Sequence, residues 1–100
     1  MSTATMIVRL SYSDWDKFKP FLDEANAHRK KFSGTGHTLA RDLSDPQRLT
    51  VVVRFHDLEQ GKIWVRDTSD PDVLERISEQ ASLSEIPEIW LGEDIEDVSY

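Results

Sequence analysis

Residues 37–56 read HTLARDLSDPQRLTVVVRFH, and this stretch decides the fold. Side chains alternate on either side of Ser44-Asp45-Pro46-Gln47. In the first arm, His37–Leu43, the residues His37, Leu39, Arg41 and Leu43 share a face. In the second, Arg48–His56, Leu49, Val51, Val53 and Phe55 form one face; Thr50, Val52, Arg54 and His56 form the other. Alternation with a period of two marks strands that present one face to a core. The Ser-Asp-Pro cluster is turn chemistry. A connection of about four residues joins antiparallel neighbours. The spacing therefore predicts a β-hairpin.

Upstream, Thr5–Tyr12 also alternates, with Met6, Val8, Leu10 and Tyr12 on one face and Ile7, Arg9 and Ser11 on the other. Ser13 can cap a following helix, and Asp14 and Asp16 suit its first turn, where the helix dipole favours negative charge. Trp15, Phe18, Leu22, Ala25 and Phe32 recur at helical spacing. Pro20 interrupts that pattern and predicts a kink or a short leading turn, because it cannot donate to the carbonyl four residues back. Ser33-Gly34-Thr35-Gly36 should end the helix, with a glycine taking the left-handed cap. Downstream, Asp57 caps a helix carrying Leu58, Gly61, Ile63, Trp64 and Val65, which breaks near Ser69-Asp70-Pro71. Pro71 suits the first position of a further helix with Val73, Leu74, Ile77 and Ala81 as its stripe. Leu83–Pro87 reads as a loop and Glu88–Glu93 as the last strand, with Ile95–Tyr100 as a tail.

The order β-α-β-β-α-β is the ferredoxin-like split unit, an α+β fold. It predicts one domain over residues 1–100: a four-stranded antiparallel sheet with its helices on one face. The opposite face would hold Ile7, Val52 and Trp90 among Arg9, Arg54 and His56. An open sheet face carrying that much apolar surface calls for cover, and a second copy across a two-fold axis supplies it. A homodimer built sheet to sheet is expected, with Arg9, Val52, Arg54 and His56 at its interface. Arg9 and Arg54 would pair there with carboxylates of the partner, since buried charges need partners.

Composition narrows the function. The chain has 100 residues and a net charge of −7. That balance argues against nucleic acid, whose binding needs a basic footprint. Among the residues from Asp70 onward, Arg76 is the one base among ten acids. This is a solvated acidic face, or else a docking surface for a basic protein. No apolar run approaches the roughly 20 residues that cross a bilayer. The opening MSTATMIVRLSYSD has no basic region ahead of an apolar one, so no secretory leader is expected and the cytoplasm is the expected compartment. Without cysteine there are no disulfides, thiolate nucleophiles or thiolate metal sites.

Three stretches also resemble a known family, the dimeric α+β barrel superfamily of bacterial proteins similar to antibiotic biosynthesis monooxygenases and small polyketide cyclases. They are Asp14-Trp15-Asp16-Lys17-Phe18-Lys19-Pro20-Phe21-Leu22-Asp23 with Arg29, Asp45-Pro46 with Leu49-Thr50-Val51-Val52-Val53, and His56-Asp57-Leu58-Glu59-Gln60-Gly61-Lys62. They lie between Asp14 and Lys62, about half of the chain. These are signatures of fold more than of catalysis. Many relatives carry a histidine where this chain reads Glu24-Ala25-Asn26; its helix-one histidine is His28. The break after helix two has one residue more than the family's usual form. Haem degradation occurs in the superfamily through a histidine late in helix two, and here no histidine follows His56.

His28, His37 and His56 fall on three elements, and no pair has the spacing that puts two ligands on one helix face, so no metal is expected. No serine sits in a nucleophile elbow. What remains is a pocket between helices and sheet. Tyr12, Trp15 and Trp64 would line it around a small aromatic ligand. His37 would act as a general base near neutral pH. By resemblance, the implied activity is cofactor-independent oxidation or cyclisation of an aromatic or polyketide-like compound. The competing reading is a non-catalytic stress or regulatory dimer that binds a protein through its acidic C-terminal surface. The sequence leaves open whether any reaction occurs.

Overall fold

A computed structural model of the chain describes residues 2–100. Strand β1 (Ala4–Ser11) leads to helix α1 (Trp15–Lys30) and the hairpin β2 (Gly34–Arg41) and β3 (Arg48–Phe55). Helices α2 (Leu58–Thr68) and α3 (Pro71–Gln80) follow, and β4 (Glu88–Glu93) closes the sheet. The sheet has the order β2-β3-β1-β4, antiparallel throughout. This is the ferredoxin-like α+β arrangement expected from the hairpin and its flanks.

All three helices begin on an aspartate. Asp14, Asp57 and Asp70 each accept a backbone N–H from the residue two positions on, which satisfies one of the donors a helix start leaves free. The first cap is thus Asp14, one residue after the expected Ser13, whose hydroxyl instead meets Ser82. Pro20 lies inside a continuous α1. Its missing N–H leaves only the carbonyl of Asp16, an exposed residue in the first turn that water can serve.

The end of α1 departs from expectation. The left-handed residue is Ser33, at φ 68°, and no glycine has positive φ. Gly34 is already in β2, three residues earlier than the predicted start of that strand at His37. A Cβ at Gly34 would stand 2.7 Å from the carbonyl oxygen of Arg29. The glycine is needed for close approach, and Ser33 takes the turn, its hydroxyl receiving the N–H of Asp57.

Register sorts the two faces. Beneath the helices, Leu39, Val51, Val8 and Ile89 align across the sheet, flanked by His37, Val53, Met6 and Leu91 and by Arg41, Leu49 and Leu10. Met6, Leu10, Leu49, Val51, Val53 and Phe55 form the buried core with Phe18 and Leu22 of α1. On the open face the central row is Thr38, Val52, Ile7 and Trp90. One neighbouring row holds Ala40, Thr50, Arg9 and Glu88; the other holds Gly36, Arg54, Thr5 and Gly92. His56 lies one residue past β3, where its N–H turns away to the carbonyl of Ser33. Among the described residues no helix is long and apolar enough to cross a membrane.

Candidate functional site

Val8 sits in the middle of a central strand on the helix-facing side, yet it is only half-buried between fully buried Met6 and Leu10. The reason is a cavity of about 260 Å³ between helices and sheet. Its floor is Met6, Val8, Leu10, Val51 and Ile89. Phe18, Phe21, Leu22 and Ala25 of α1 form one wall. Trp64 and Thr68 of α2, with Leu74 and Ile77 of α3, form the other. These positions follow from helical spacing: residues three, four and seven apart return to one face. Glu24, His28 and Gln80 also line the cavity and are themselves exposed, which places its mouth between α1 and α3.

Away from the mouth the lining is apolar except for Thr68, whose hydroxyl donates to the Trp64 carbonyl, and Arg29. Arg29 is 7% exposed and belongs to the cavity wall. Its guanidinium lies 5.9 Å from the centroid of the Trp64 ring, a cation–π distance. A terminal nitrogen donates to Oδ1 of Asn26. Nε is buried and has no hydrogen-bond partner. Among the described residues no carboxylate pairs with Arg29. Burial without a counter-ion lowers its pKa to about 10, so it remains a cation at neutral pH.

The residues singled out in the sequence divide around this cavity. Trp64 lines it and packs against Phe32 as well as Arg29. Tyr12 and Trp15 do not line it. They stack with Phe18 at the other end of α1, with ring centroids 5.5 to 5.8 Å apart. At 1.5 Å per residue, Trp15 and Arg29 are separated by about 21 Å along the helix. Trp15 and Trp64 therefore stand at opposite ends. The Tyr12 hydroxyl accepts from Arg41 and donates to the carbonyl of Pro46, and Arg41 lies over the Trp15 ring. His37 faces the helices from the edge strand β2, two strands away from β1, and is not part of the cavity wall. Partial desolvation lowers its pKa, and the positive charges of Arg29, Lys19 and Arg54 lower it further against Asp23. Both effects favour the neutral imidazole.

Arg9, Val52 and Arg54 share the open sheet face, Val52 half-buried and both arginines exposed. Arg54 reaches the Thr38 hydroxyl at 3.4 Å, and neither arginine has an ion-pair partner among the described residues. Trp90, 57% exposed, lies across Gly92 on the same face. Three or more potential metal ligands do not gather anywhere among the described residues.

Arg29 is the residue that sequence reasoning missed. A base in the last turn of a helix is explained by the dipole alone. The available signal was spacing: Phe18, Leu22, Ala25 and Arg29 continue one stripe at intervals of four, three and four.

No family model matches the sequence, and neither does any curated protein. Solved structures do match. SnoaB, a cofactor-independent oxygenase from Streptomyces nogalater, superposes with a TM-score of 0.70 at 16% identity over 100% of both chains. A protein from Bordetella bronchiseptica provisionally named an antibiotic biosynthesis monooxygenase gives a TM-score of 0.67 at 16% identity, covering 96% of this chain and 100% of its own. A dimeric ferredoxin-like protein from an uncultured marine organism gives 0.62 at 10% identity, covering 100% and 94%. At such identities the likeness is one of fold. The chain has the ferredoxin-like α+β fold of the antibiotic biosynthesis monooxygenase-like proteins, as its sequence resemblance implies.

Proposed function

We propose that this protein binds an aromatic or polyketide-like small molecule in the cavity beneath α1, α2 and α3, as a homodimer joined through its open sheet faces. The observation that carries the reading is the cavity itself. Well-packed domains leave few voids larger than a water molecule, whereas this one keeps about 260 Å³ open over its central strand, with a mouth to solvent. An apolar concave wall with a few polar groups is the usual form of a small-molecule site. Trp64 offers a ring face for stacking, which suits a planar ligand.

The fold likeness to SnoaB, a cofactor-independent oxygenase, supports a further step: oxidation with molecular oxygen as the electron acceptor, or a redox-neutral cyclisation, in either case without a cofactor. Such chemistry starts by taking a proton from a phenol or enol, which raises its electron density. We place the base at His28, which lines the mouth, in place of His37, which stands beyond β3. An imidazole at the mouth can take up such a proton and pass it to solvent.

A thermal-shift screen against polyphenols, quinones and short fatty acids tests the binding claim. A bound compound at a hundredfold excess over its dissociation constant adds about 2.7 kcal/mol of stability. At least one class is expected to raise Tm in the wild type and to lose that effect in Trp64→Ala. A shift that persists unchanged in Trp64→Ala, or no shift with any class, contradicts the proposal.

A further inference from the structure

We infer that Arg29 is the anchor for a carboxylate, so that the ligand of this cavity is an organic acid: an apolar, ring-bearing body with one anionic end. This deepens the proposed function and rests on its reading of the cavity as a ligand site.

Three observations converge on it. Arg29 is nine-tenths buried yet has no carboxylate partner, although taking a guanidinium out of water is costly unless its charge and donors are met. Its Nε is a buried donor with nothing to donate to, and such orphans are rare in folded proteins. The remaining wall around it is apolar, with the Trp64 ring on one side. An isolated cation in a low-dielectric pocket lacks one component, an anion with an apolar body. The guanidinium fork matches a carboxylate in geometry, and the bond to Asn26 holds that fork in place from the helix side. The chain as a whole carries a net charge of −7 and repels anions at long range. A preference for an anion must then come from a local cation.

The probes are 2-naphthoate and its neutral isostere 2-naphthamide, titrated by calorimetry at pH 7. Wild type is expected to bind naphthoate about ten- to a hundredfold more tightly than the amide, the range expected for a charge-assisted hydrogen bond in place of a neutral one. Arg29→Met keeps an unbranched apolar stem and removes the charge and the donors. It should bind the two probes with equal affinity, the naphthoate preference being lost. Arg29→Lys should keep most of the preference, which guards against a variant that merely folds poorly. Equal affinity for both probes in wild type overturns this inference and leaves the cavity reading standing. A naphthoate preference that survives in Arg29→Met also overturns it. Failure of wild type to bind either probe overturns the inference together with the proposed site.

Discussion

Val52→Glu is expected to turn a dimer into a monomer. Val52 sits in the central row of the open face between Thr38 and Ile7, with Trp90 beyond. In a sheet-to-sheet dimer that apolar row meets its own copy across the two-fold axis, and the polar rows carrying Arg9 and Arg54 form the rim. A carboxylate at Val52 would be buried without a partner. One such charge costs about 3 kcal/mol or more, and symmetry introduces it twice. The dissociation constant should rise by about four orders of magnitude. Because Val52 does not face the helix-side core, the monomer should stay folded. Sedimentation velocity with circular dichroism reads both quantities. An unchanged dimer mass would show that the copies meet elsewhere.

Phe55→Ala is expected to remove much of the fold's stability. Phe55 is 1% exposed, and its ring lies against Gly61 of α2, where an added Cβ would sit 3.3 Å from ring carbons. The absent side chain at Gly61 lets α2 settle onto β3. Trp64 and Thr68, one and two turns on along the same helix face, are thereby held over the cavity. Truncating a buried phenylalanine costs about 3–5 kcal/mol, against a total of about 5–15 kcal/mol for a domain. For a chain of this length each kcal/mol lowers Tm by about 4–8 °C. A fall of at least about 12 °C should appear in a thermal melt, and ligand-induced stabilisation should shrink with it as α2 loosens. A fall of less than about 4 °C would mean that the Phe55–Gly61 contact does not secure α2.

Much of the fold was legible because two periods are written plainly into the chain. Leu49, Val51, Val53 and Phe55 alternate, and every one of them is buried. Leu74 and Ile77 lie on their predicted helical stripe and line the cavity. The start of β2 was not legible, because Gly34, Thr35 and Gly36 offer no alternation of apolar side chains. The left-handed residue is Ser33 and not a glycine, because Gly34 serves a different need: a side chain there would meet the Arg29 carbonyl. The site was harder to read than the fold. Sharing a sheet face suggested that Tyr12 and His37 converge beneath Trp15 and Trp64, but a face shared across four strands is far wider than one cavity. Strand order and the length of α1 decide which of them meet. The burial of Arg29 depends on the Trp64 ring of α2 reaching its side, and no local pattern of charge encodes that.

A ligand held in the cavity under the helices should be visible in methyl-resolved NMR of the wild type titrated with 2-naphthoate. Methyl groups of Met6, Val8, Leu10 and Ala25 line the cavity, while those of Ile7 and Val52 lie on the opposite face of the same sheet. Saturable shifts are expected at the first group and none at the second. Shifts confined to Ile7 and Val52, or no shifts at all, would contradict a ligand site in this cavity.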